Sequence, residues 1–135
     1  MATYNKFQPF VANLANKKHD LASDQLVVAL TNTIPTAEMV ALSELTQISY
    51  TNLSSRNITL ISSTQTGGTY SLKLADLTLT ASGAVGPFQY VVIYNSAATN
   101  FELIGWYDYG SAVTLASGDA FIVDFDGTNG LLQLA

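Results

Sequence analysis

The chain has 135 residues, room for one domain that buries roughly two-thirds of the surface its unfolded form exposes. It has no cysteine, which excludes a disulfide scaffold and any thiolate metal site, and its net charge of −5 with only five Lys and Arg argues against nucleic acid or an acidic membrane, since both demand clustered basic surface. Charged residues are 11% of the chain against about 25% in an ordinary soluble domain, and the polarity comes instead from 15 Thr and 12 Ser; such a surface suits either an obligate assembly or a monomeric Ser/Thr-rich β-sandwich.

In chain order, Met1 to Leu21 places Phe7, Phe10, Val11 and Leu14 at the spacing of one helix face, with Pro9 in the first turn, and predicts a short N-terminal helix or arm over residues 1–22. Residues 23–135 read as the β-sandwich domain. Asp24 to Thr33 (DQLVVALTNT) predicts a buried strand, Thr36 to Leu45 a short helix or irregular crossover, and Ile48 to Tyr50 a short edge strand. Asn57 to Ser63 and Thr69 to Leu74 predict a hairpin about the turn TQTGG; the alternation then slips at Ala75 and Asp76, the mark of a bulge or of a chain passing between sheets. Phe88 to Tyr94 is apolar on both faces, so it belongs in the middle of a sheet, either between two layers of its own chain or between its core and a neighbouring subunit. Leu103 to Tyr109, Ala112 to Leu115, Ala120 to Phe125 and Leu131 to Leu134 complete seven to nine strands, with Phe121, Val123 and Phe125 facing one way and Ile122 and Asp124 the other. The expectation is an all-β fold, a β-sandwich of jelly-roll or related topology with a short N-terminal helix or arm. No run reaches the roughly 20 apolar residues of a membrane span and no secretory leader pattern opens the chain, so a soluble protein that is not individually secreted is expected.

Chemistry is sparse. His19 is the one histidine, no nucleophile sits in a recognisable motif, and His19 reads as a solvated residue beside Lys17 and Lys18 at a helix C-terminus. Asp124, Asp126, Thr128 and Asn129 in DFDGTNG are spaced like part of a calcium loop but lack its bidentate Glu, and read better as strand face and turn formers. No catalytic residue, cofactor or metal is assigned. The sequons at Asn52 and Asn57 mean glycosylation only in a secretory setting. Tyr90, Tyr94, Trp106, Tyr107 and Tyr109 form an aromatic cluster across the Phe88–Tyr94 and Leu103–Tyr109 hairpin, suited to core and subunit contact and, as a second use, to stacking sugars.

The segments MATYNKFQPFVANLANKKHDL, QLVVALTNTIP, GPFQYVVIYN, ELIGWYDYG and VTLASGDAFIVDFDGTNGLLQLA resemble a recurrent family of small structural proteins of tailed bacteriophages. The resemblance covers nearly the whole chain and implies a virion component. It is most similar to a capsid cement or decoration protein, which implies a place on the capsid exterior, the major capsid protein as partner, and self-association as a dimer or trimer. A tail, collar or fibre-attachment protein with a receptor-binding, lectin-like role is the alternative. On the first reading Phe7, Phe10 and Val11 of the arm, or Tyr90, Tyr94, Trp106 and Tyr107 of the hairpin, reach the shell or the symmetry mates.

Overall fold

A computed structural model describes residues 3–126 and 130–134. In chain order these form β1 (Thr3–Lys6), α1 (Gln8–Ala15), β2 (Leu26–Thr31), β3 (Leu60–Thr66), β4 (Thr69–Leu74), β5 (Leu77–Thr80), β6 (Val85–Asn95), β7 (Leu103–Leu115), β8 (Ala120–Val123) and β9 (Leu132–Leu134). The fold is all-β and sandwich-like, with one short α-helix among the described residues, as the alternation predicts. Its sheets run β1-β7-β6-β2, β3-β4-β9 and β5-β8, every pair antiparallel.

The β6–β7 hairpin is the centre. Its register runs from Tyr90 opposite Asp108 to Tyr94 opposite Leu103, and β6 is buried continuously from Tyr90 to Asn95. Val91 lies beside Tyr107, whose ring meets Phe125 at 6.2 Å, so that face looks onto the strands that follow. Val92 lies beside Trp106, whose ring meets Phe7 at 4.5 Å, so the opposite face is covered by the N-terminal segment. Of the two settings that a doubly apolar strand predicts, the sheet between two layers of its own chain is the one found.

Local pattern and local structure agree in most places. The slip at Ala75 and Asp76 is where the chain leaves the β3-β4-β9 sheet for the β5-β8 pair, and the Asp76 carboxylate accepts the Phe125 N–H at 3.2 Å across the gap. Gly67 and Gly68 both have positive φ (60° and 85°), the two-residue turn that matches the twist of a hairpin. The segments read as Leu103–Tyr109 and Ala112–Leu115 are one strand, β7, bent at Gly110 (φ 79°), where residues 109–112 bulge opposite Gln89.

Two expectations change, and a third is narrowed. The helix is shorter than the amphipathic stretch, and Thr3–Lys6 ahead of it is a strand paired with β7, from Thr3 opposite Asp108 to Lys6 opposite Gly105. Of the two forms expected for Thr36 to Leu45 the irregular crossover is found, with a 3-10 turn at Leu42–Glu44, because the Glu44 carboxylate takes the N–H groups of Val40 and Ala41 at 2.6 and 2.9 Å while Ala41 bridges to Glu102. Ile48 to Tyr50 is not a strand; it belongs to an irregular strap along the outer edge of β2. Ile48 N–H donates to Leu30 O, Val28 N–H to Arg56 O and Ile58 N–H to Leu26 O, each at 3.0 Å. The Arg56 guanidinium donates to Val28 O at 2.7 Å while lying 3.7 Å over the Tyr50 ring, and the Tyr50 hydroxyl accepts the Leu30 N–H at 2.9 Å. The strap occupies hydrogen-bonding groups that β2 would otherwise leave open.

Candidate functional site

The densest buried polar chemistry lies where the end of α1 meets the β6–β7 loop. Past Ala15 the chain turns through Lys17 at φ 69°, with the N–H groups of Asn16 and Lys18 returning to the carbonyls of Ala12 and Asn13, both at 2.9 Å. That turn carries His19 inward. Its side chain is 6% exposed, not solvated as the sequence suggests, and its ring lies 5.2 Å from that of Phe10. Asn95, fully buried at the end of β6, donates from Nδ2 to His19 Nδ1 at 2.9 Å and to Asp24 Oδ2 at 2.7 Å, while its Oδ1 accepts the Ala97 N–H at 2.9 Å. Because Nδ1 accepts, the network assigns the proton of the neutral ring to Nε2.

Glu102, 2% exposed, accepts the Asn100 N–H at 3.1 Å through Oε1. Its Oε2 and the Nε2 of His19 are both buried without a hydrogen-bond partner. Burial pushes the His19 pKa below its ordinary value, against the pull of the Glu102 and Asp24 carboxylates. The imidazole is held in place by an amide and bonded to no hydroxyl, which suits fixing a loop better than activating a nucleophile. Beside it opens a cleft of about 380 Å³ lined by Lys17, Lys18, Asp20, Asp24, Thr99 and Glu102. Among the described residues no group of three or more His, Asp or Glu is placed to hold a metal ion. Asp124 is exposed and accepts the Asp126 N–H at 2.9 Å; Thr128 and Asn129 of the calcium-like spacing lie outside the described residues.

The same loop presents an apolar knob. Phe101 is 46% exposed and sits at φ 53°, a region that bulky side chains rarely occupy. It is pinned there by its N–H to Ala98 O and by the Leu42 N–H to its own carbonyl, both 3.1 Å. The Ala41–Glu102 bridge places Leu42 and Val40 opposite Phe101 and Leu103, and Val40 is also exposed.

Of the residues expected at a partner interface, Phe7 and Phe10 lie in the core, Tyr90, Tyr94 and Tyr107 are buried, and Trp106 is half-buried against Phe7; Val11 alone is exposed. The rings spend their faces on one another, with Tyr4 to Tyr107 at 5.1 Å, Tyr109 to Phe121 at 5.0 Å and Phe88 to Phe121 at 5.3 Å. Burial raises the hydroxyl pKa values of Tyr4 and Tyr107 well above their ordinary range and that of Tyr109 to about 12. Phe101 was not among the expected residues. Its signal, an aromatic among polar loop residues (NSAATNF), is visible in the sequence; its strained backbone is not.

No protein-family model, curated protein or solved structure matches the chain. No helix among the described residues is long and apolar enough to cross a membrane.

Proposed function

We propose that the chain is a structural contact protein of a larger assembly and, following its resemblance, a bacteriophage cement or decoration protein that sits on the capsid exterior and clamps neighbouring major capsid proteins. The observation that carries the reading is the Phe101 knob. A left-handed backbone costs an L residue with a bulky side chain about 1–2 kcal/mol, and the exposed ring adds unfavourable apolar surface in water; a partner surface that covers the ring offsets both. The low charge of the chain, 11% of its residues, fits surfaces that are covered in use. A protein that binds only the expanded lattice stabilises it by mass action, and many copies with modest contacts sum through the lattice geometry. The lectin-like alternative gains no such support, because of the rings it would use Tyr90, Tyr94 and Tyr107 are buried, and Trp106 and Tyr109 are half-buried against Phe7 and Phe121.

Co-sedimentation of the purified chain with expanded heads that lack it tests the reading, with bound copies per head counted and heat-induced DNA release measured. Binding and later DNA release are expected. Phe101→Gly relieves the backbone while removing the ring, so this variant folds and loses most of the binding. Wild-type chain that never pellets with heads sinks the head assignment, and a Phe101→Gly chain that binds as well as wild type removes the knob as the contact.

A further inference from the structure

β3 is the longest strand at a sheet edge, seven residues, and none of them is buried. It pairs with β4 on one side, and among the described residues Ile61–Thr66 make no backbone hydrogen bond on the other. The turn geometry fixes which groups are left over. A two-residue turn with positive φ at Gly67 and Gly68 closes on a hydrogen-bonded Thr66/Thr69 pair. Bonded pairs then recur at Thr64/Ser71 and Ser62/Lys73, so the N–H and C=O groups of Ser63 and Gln65 point away from β4. Open edges are normally guarded by a charge, a proline or an inward-pointing lysine. The run from Asn57 to Leu72 has none of these, and its one guard is the bulge at Ile61, just before the regular part of the strand.

We infer that β3 is a homotypic docking edge, which pairs antiparallel with β3 of a second copy about a two-fold axis at Thr64. In that register Ser63 exchanges both backbone hydrogen bonds with the partner's Gln65, Gln65 does the same with the partner's Ser63, and the two Thr64 side chains stand directly opposite. The occupant is a second copy because the edge is complementary to itself: the outward groups of Ser63 and Gln65 lie symmetrically about Thr64, and the sixteen residues from Asn57 to Leu72 set no charge against another although each copy carries net −5. Exposed Leu60 and Ile61 flank the paired segment and add apolar area at its margin. The inference deepens the assembly reading and rests on it for its biological meaning, since a paired decoration protein carries two Phe101 knobs to the shell.

Sedimentation equilibrium of the full chain tests it, with Thr64→Lys and Thr64→Cys as probes. Thr64 is exposed, so neither substitution touches the core; melting curves check that both variants fold. Wild-type chain is expected to dimerise. Thr64→Lys sets two lysines face to face and returns the chain to monomer. Thr64→Cys, the sole thiol of the molecule, is expected to give a disulfide dimer under mild oxidation, whereas Thr99→Cys on the exposed β6–β7 loop does not. Monomeric wild type at high concentration overturns the inference and leaves the edge to a strand of another protein. A dimer indifferent to Thr64→Lys, or one that Thr64→Cys fails to lock, overturns it as well, because the interface then lies elsewhere. A wild-type dimer that does not pellet with heads leaves this pairing standing and removes the capsid role alone.

Discussion

The two outer strands β2 and β3 solve the same problem in opposite ways. Every residue of β2 is buried and its free edge is strapped by residues 47–58, whereas no residue of β3 is buried and its free edge is bare. The difference follows composition. LVVALT is apolar on both faces and needs cover wherever it lies, while LISSTQT carries enough hydroxyl and amide groups to stand in water until it finds a partner. One sheet closes the fold and the other offers it outward.

The largest test of that contrast is truncation of matched side chains. Phe88, fully buried in β6, is expected to cost about 3–5 kcal/mol as Phe88→Ala in denaturant unfolding. A β3 substitution that costs as much would erase the distinction. Next comes the backbone of the central hairpin. Gly86 has φ 103°, and a Cβ there would stand 2.7 Å from the Val113 carbonyl oxygen, so Gly86→Ala is expected to lose of order 1–3 kcal/mol. An unchanged urea midpoint would mean that β6 and β7 have room to separate.

Acid sharpens the contrast further, because His19 sits at one end of the buried sheet and β3 carries no titratable group. The unfolded imidazole takes up a proton below its ordinary pKa of 6.5, and the buried one only at lower pH. Between the two the unfolded state binds more protons, so stability falls as pH falls through that window. Melting temperatures measured at about pH 8 and about pH 5 should differ more in wild type than in His19→Gln; equal differences would show that other groups carry the acid sensitivity. The smallest expected effect is Ile61→Ala on β3, 58% exposed, which should leave monomer stability within about 0.5 kcal/mol.

What the sequence displayed was local. The alternation through Phe121–Phe125, the apolar run of β6 and the slip at Ala75 are patterns that neighbouring residues impose on one another, and each corresponds to a structural event at that place. What it concealed was settled at a distance. Thr3–Lys6 has no strand pattern of its own and extends because β7 lies beside it. His19 is drawn inward by an amide 76 residues away and by a left-handed Lys17 that no local rule announces. Helix formers between Thr36 and Leu45 yield to the Glu44 carboxylate and to the bridge with Glu102. The aromatic residues could not be sorted in advance between core and partner, because tyrosine and tryptophan serve both settings for the same physical reason.

The pairing of β1 with β7 sets an order of events in time. Thr3 meets Asp108, so the strand made first is completed by one made more than a hundred residues later. The β6–β7 hairpin closes over a short loop and can form early; β2 must wait for β6, and β1 must wait for β7 across nearly the whole chain. During synthesis the N-terminal segment therefore stays unpaired until β7 has been made, with Phe7 and Phe10 lacking until then the core they later enter.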